Sequence, residues 1–174
     1  SLVMVTVGTG IGGGIVLRNH LVRGAHGMAA EFGHLGRVPD GRLCGCGKRG
    51  CWEQYASGNA LLREARELAA DQRDRASLLL SLGDGTPEGV KGKHVTAAAR
   101  QGDPVALEAF DHIGRWLGTG LADVAALLDP AMFVIGGGVS EAGDLLLLPT
   151  RAAFEGSLVA RQHRPLASVV MAEL

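Results

Sequence analysis

Aromatic residues make up only 4% of this 174-residue chain, and 17 basic against 18 acidic residues leave a net charge of −1. So balanced a charge gives no electrostatic footprint for nucleic acid or for an anionic lipid surface. No apolar stretch approaches the ~18 residues of a membrane-spanning helix. The longest candidate, Val124 to Val139, is broken by Asp129–Pro130 and by Gly136, Gly137 and Gly138. Cysteine is scarce, and an odd count of three argues against a framework built purely of disulfides. Ser1–Val7 carries neither the basic start nor the cleavage site of a signal peptide. No initiator Met precedes it, and the chain opens inside what reads as a strand, so we expect a piece excised from a longer protein.

Glycine, by contrast, is abundant at 27 residues. That is about twice the usual share of ~7%, with no Gly-X-Y period, which excludes collagen. A hydrophobic fraction of 47% and a charged fraction of 20% are globular values and argue against disorder. A chain of this length buries roughly 70% of its unfolded surface, enough for a real core.

Leu2–Val7 is a short β-branched run that predicts a buried strand. A glycine loop over Gly8–Gly14 follows, then a second strand at Ile15–Leu17 and a tight turn at Arg18–His20. Gly27 to Glu31 suits one or two helical turns, and Gly33 to Gly50 is a loop with little core of its own. A helix is expected from Gly58 to Gln72, and a shorter one near His94–Gln101. Asp103 as N-cap and Pro104 in the first turn open a long helix that Asp129–Pro130 stops. Its interior glycines, Gly114, Gly118 and Gly120, each cost about 1 kcal/mol of helix propensity and make sense where another backbone comes close. A buried strand at Met132–Ile135, a helix to about Phe154 and a last strand at Ser168–Met171 complete the pattern.

Two glycine loops are candidate phosphate cradles. Gly8, Thr9 and Gly10 open a loop in which backbone N–H groups can approach an anion unhindered, with the Thr9 hydroxyl as a further donor. The loop lacks the Gly-Lys-Ser/Thr ending of Walker A and does not open a helix. Gly136, Gly137 and Gly138 lie between a strand and a helix, where ligands of α/β sheets gather. A plain hairpin and close strand–helix packing are the alternatives for the two loops.

The sharpest local signal is His34, Cys44, Cys46 and Cys51, in the pattern His-x9-Cys-x-Cys-x4-Cys. Three soft thiolates and one imidazole suit tetrahedral Zn²⁺ in a closed, structural site. Three cysteines are too few for a fully thiolate-ligated iron–sulfur cluster. Gly45, Gly47 and Gly50 permit the tight turns, and His26 is an alternative fourth ligand.

Three motifs together resemble the ROK family of sugar kinases, and within it the bacterial glucokinases. They are Val5–Ile15 followed by Gly24 and Gly27; Glu31-Phe-Gly-His34 with Cys44–Glu53; and Asp129-Pro130 leading into Phe133–Ser140. The resemblance implies an α/β actin-like ATPase (ribonuclease H-like) fold of two lobes around a cleft. This chain, residues 1–174, would be the C-terminal lobe: a mixed sheet with flanking helices and a zinc-bound loop. The N-terminal lobe, with the catalytic Asp acting as general base, and the final C-terminal helix would lie outside it. Gly8–Gly14 would be the second phosphate loop for ATP with Mg²⁺, and Gly136–Gly138 the adenosine motif. Glu31, His34 and Glu53 would hydrogen-bond the hydroxyls of glucose or a related hexose, His34 also serving the zinc. The resemblance further implies homo-oligomers formed through this lobe, to which the glycine-bearing helix Asp103–Leu128 would lend a close-packing face, and reduced cysteines with no leader lead us to expect a cytoplasmic protein. ROK-type transcriptional repressors, non-enzymes with an upstream DNA-binding segment, and ROK kinases for other hexoses share the resemblance.

Overall fold

The structure, a computed structural model, describes residues 1–173. Strand β1 (Leu2–Val7) places Val3, Val5 and Val7 on one fully buried face, as a period of two requires. It turns at Gly8–Gly10 into antiparallel β2 (Ile11–Leu17), which continues into the short β3 (His20–Leu21). On its other side β1 pairs in parallel with β4 (Met132–Gly136), and β4 pairs in parallel with β5 (Ser168–Met171). The result is the expected mixed sheet, in the order β3-β2-β1-β4-β5.

The glycine run departs from expectation. Only Gly8–Gly10 turns; Gly12, Gly13 and Gly14 are strand residues opposite Thr6, Val5 and Met4. Two of these glycines answer crowding. A Cβ on Gly12 would lie 2.8 Å from Thr6 Oγ1, and one on Gly13 2.7 Å from Phe32 Cε2. The helical turns expected over Gly27–Glu31 are also displaced. Ala30 adopts a positive φ of 71° there, and a single 3-10 turn forms at Phe32–His34 instead.

Among the described residues six α-helices accompany the sheet: α1 (Glu53–Ala56), α2 (Gly58–Asp71), α3 (Ser77–Leu82), α4 (Gly92–Arg100), α5 (Pro104–Leu128) and α6 (Asp144–Ser157). The run Ser-Leu-Leu-Leu-Ser-Leu of α3 has no helical period, which is why sequence reading passes over it. Asp103 caps α5 by accepting from the Val105 and Ala106 amides at 3.0 and 2.9 Å. Its other oxygen accepts from the Leu79 amide at 2.9 Å, so one buried carboxylate joins α5 to α3. Asp129, at φ 42°, ends α5 in the left-handed conformation.

The glycines of α5 are covered from within the chain. Gly114 faces Pro149 and Thr150 of α6, and a Cβ on Gly118 would lie 2.7 Å from the Phe154 amide nitrogen. Gly120 faces the indole of Trp52. The expectation of a close backbone approach holds for Gly114 and Gly118, and an aromatic ring fills the space at Gly120. This corrects the idea that these glycines offer a close-packing face to a second copy, because the chain's own α6 and Trp52 already occupy them. Phe154 of α6 meets Phe133 of β4 edge-on at 5.6 Å, which ties the helical layer to the sheet. Among the described residues no helix is long and apolar enough to cross a membrane.

Replacing Asp103 by Ala removes a helix cap and orphans the buried Leu79 amide. We predict a loss of about 2–4 kcal/mol, against about 1 kcal/mol for Ser57→Ala, which removes only the cap of α2. Urea unfolding of both variants measures the difference, and equal losses would show that the α3 bond carries nothing.

Candidate functional site

Parallel β1 and β4 bring their carboxyl ends to the same edge, so the two glycine loops lie side by side. Gly137 sits at φ 90°, and a Cβ there would lie 2.6 Å from the Val7 carbonyl oxygen. Here glycine is required by both conformation and space. The Gly8 carbonyl accepts from the Gly58 amide at 2.7 Å, which brings the start of α2 to the same edge, and Thr9 is exposed beside it.

A cavity of about 430 Å³ opens next to these loops. Its walls are the start of α2 (Gly58, Leu61), one face of α4 (Lys93, Thr96, Ala97, Arg100) and the turn Gly138–Ala142. The volume lies within the 300–1,000 Å³ typical of small-molecule sites. Arg100 Nη2 donates to the Glu141 carbonyl at 2.9 Å, tying two walls together. Sequence reading found Gly138 but missed the α4 wall. The segment reads there only as a short helix near His94–Gln101, and nothing local marks the face that lines a cavity.

The second cluster lies in the loop from His34 to Cys51, where Cys44 is the sole buried side chain before Cys51 closes it. One ligand atom each from His34, Cys44, Cys46 and Cys51 falls within 4.8 Å of the others. The Cys44 Sγ–His34 Nδ1 and Cys46 Sγ–Cys51 Sγ separations are both 3.6 Å. A tetrahedral zinc with bonds of about 2.3 Å to sulfur requires edges of about 3.8 Å, so the donor set fits that ion in type, number and spacing. His26 is exposed and stands outside the group. None of the three cysteines is in a disulfide.

Backbone turns assemble the donors. The Cys44 amide donates to the Lys48 carbonyl at 2.8 Å and the Gly47 amide to the Cys44 carbonyl at 2.9 Å. Lys48 Nζ donates to the His34 carbonyl at 2.7 Å, clasping both ends of the loop and setting a cation near the sulfurs. Burial pushes the Cys44 thiol up and the Cys51 thiol up to about 12. The exposed Cys46 goes the other way, held down first by the Lys48 backbone N–H.

The three candidate polar groups converge on this cluster. With Nδ1 facing Cys44, His34 turns Nε2 toward Glu31, 4.0 Å from its Oε2. Glu53 stands between the two halves of the site. Its Oε1 lies 3.0 Å from Cys44 Sγ and 3.9 Å from His34 Nδ1, while its Oε2 accepts from the Ile11 amide at 3.4 Å. A Cβ on Gly10 would run into that carboxylate. Glu53 thereby joins the cysteine loop to the β1–β2 turn.

The structure thus sets a glycine-turn hairpin beside a cysteine–histidine cluster on a mixed sheet. The chain belongs to the ROK family, whose model matches residues 1–174. It is 54% identical over 174 residues to the glucokinase of Streptomyces coelicolor, covering 100% of this chain and 55% of that relative. It superposes with a TM-score of 0.95 on a ROK family glucokinase from Streptomyces griseus in complex with glucose and AMPPNP, at 54% identity, covering 98% of this chain and 55% of that one. The xylose repressor of Bacillus subtilis is more distant, 30% identical over 87% of this chain and 35% of its own length. The chain thus spans about half the length of the glucokinases it matches.

We predict about one zinc per chain, and Cys46→Ser should lose it and speed amide exchange across residues 33–53. The ion displaces protons that burial holds on Cys44 and Cys51, so affinity should rise with pH, about tenfold per pH unit for each proton released. Competition with a chelator between pH 6 and 8 measures the slope, and a flat profile would exclude thiol ligation.

Proposed function

We propose that the full-length protein transfers the γ-phosphoryl group of ATP to the 6-hydroxyl of glucose, with this chain as the C-terminal lobe of a two-lobed kinase. The observation that carries the proposal is the position of Glu53, one oxygen beside the cysteine cluster and the other on the Ile11 amide of the glycine turn. That contact joins a hydroxyl-binding site to a phosphate-binding one, as direct transfer between two substrates demands. The glucose and AMPPNP bound to the Streptomyces griseus relative support the same pairing of ligands.

In this reading Glu31, His34 and Glu53 bind the sugar hydroxyls. His34 offers Nε2 while Nδ1 serves the metal, and the second nitrogen is aimed because the first is fixed. Zinc is structural: it organises the loop that carries these groups, through His34, Cys44, Cys46 and Cys51. Gly8, Thr9 and Gly10 receive the phosphates, and Gly136, Gly137 and Gly138 lead into the cavity for the adenosine. The path runs from that cavity past Gly58 and Gly8 to Gly10 and then Glu53, which orders the substrates along one edge of the sheet.

Phosphoryl transfer depends on positioning and on offsetting the charge of the phosphates, to which the Mg²⁺ accompanying the nucleotide contributes. The general base that takes the hydroxyl proton is an Asp of the other lobe, so this chain alone should be inactive. Free thiols suited to zinc favour a reducing compartment, and we place the protein in the cytoplasm. The higher identity to a glucokinase than to a repressor, 54% against 30%, favours the enzyme over a sugar-responsive regulator.

A coupled assay of the full-length protein with ATP and a panel of hexoses tests the reading. Glucose should give the highest kcat/KM, Glu31→Gln should lower it by about 10- to 100-fold, and residues 1–174 alone should give no turnover. Efficient phosphorylation of another hexose in place of glucose, or robust turnover by the isolated chain, would overturn it.

A further inference from the structure

Glu53 is held from both sides. The cysteine loop ends at Cys51, two residues before it, and the residue between them is Trp52, which is fully buried. The Trp52 amide donates to the Leu35 carbonyl at 2.8 Å. Its indole Nε1 donates to the Trp116 carbonyl, also at 2.8 Å, in the middle of α5. The ring occupies the space above Gly120, where a Cβ would fall 2.5 Å from Nε1 and closer still to two ring carbons.

Trp116, Gly120 and Asp123 recur at i, i+4 and i+7, so they form one stripe along α5. Each holds a different part of the loop region. Trp116 takes the indole N–H and packs its own ring on Tyr55 at 4.9 Å, Gly120 admits the indole, and Asp123 pairs with the guanidinium of Arg37. Burial lowers the Arg37 pKa, and its Nε is enclosed without a hydrogen-bond partner, so Asp123 is the charge that compensates it.

We propose that this stripe is a second anchor for the site, independent of the metal, and that Gly120 and Trp52 are positioning residues that aim the Glu53 carboxylate at the β1–β2 turn. The proposal rests on the reading of Glu53 as a sugar ligand. Consecutive Cα atoms are 3.8 Å apart on a rigid peptide, so an indole pushed off α5 carries the Glu53 backbone with it. Cys51, bonded to Trp52 on its other side, is fixed besides by its antiparallel bridge to Gly36, and Cys44 and Cys46 lie in a turn closed by its own hydrogen bonds.

The test uses the full-length, zinc-loaded protein with Gly120→Ala, and with Trp52→Phe, which fills most of the space but cannot donate to the Trp116 carbonyl. KM for glucose should rise about tenfold in the first and about threefold in the second, while KM for ATP stays within about twofold and zinc stays at one per chain. Exchange of the Ile11 amide, which donates to Glu53, should quicken in both. If stability falls while KM for glucose and Ile11 exchange stay at wild-type values, Trp52 is an ordinary core residue and the proposal fails. Loss of zinc from Trp52→Phe would overturn it too, since the anchors would then be one. Ile11 exchange needs no turnover. An inactive wild-type protein would therefore sink the kinase reading, while exchange in the variants still decides this one.

Discussion

The loop between His34 and Cys51 buries almost nothing apolar, and Leu35 and Leu43 are 37% and 63% exposed. Burial of that kind cannot offset the entropy of ordering so many residues. What organises the loop instead is a set of short-range bonds among its own turns, which gather three sulfurs and one imidazole at the spacing of one tetrahedral ion. The polar groups that converge on the cluster are placed at its borders: Glu31 and His34 before it, Glu53 just after it. An ordered loop therefore means ordered carboxylates.

Around that loop the sheet supplies direction. Because β1 and β4 run in parallel, their following turns open on one side, and the short contact of Gly137 with Val7 keeps them together. The Gly58 amide on the Gly8 carbonyl adds the start of α2 to the same edge. Cavity, glycine turn and acidic cluster then follow one another in space although their residues are scattered from Gly8 to Ala142.

Glycine in this chain is chiefly a device for close approach. Gly12 and Gly13 are not flexible; they are strand residues beneath Thr6 and Phe32. Gly114 and Gly118 let α6 settle on α5, and Gly120 lets an indole do so. The helix gives up about 1 kcal/mol of propensity at each of these positions. It gains in return a surface against which both α6 and the end of the cysteine loop are fixed.

Much was legible from residue order because the signals are local. The Asp103-Pro104 start and Asp129-Pro130 stop of α5 depend on hydrogen bonds within a turn, and β5 was placed by its β-branched run at Ser168–Met171. The gathering of His34, Cys44, Cys46 and Cys51 was readable because three cysteines within eight residues, set among glycines, leave few other chemistries. The strand character of Gly12–Gly14, helix α3, the α4 wall of the cavity and the stripe under Trp52 were not readable. Each is defined by a partner far along the chain: Thr6 and Phe32 for the glycines, Asp103 for α3, Glu141 for Arg100, and Trp116 and Gly120 for the indole. Spacing along a chain encodes which groups can share a turn or an ion, whereas which side chain fills the space above a distant glycine follows only once the helices have packed.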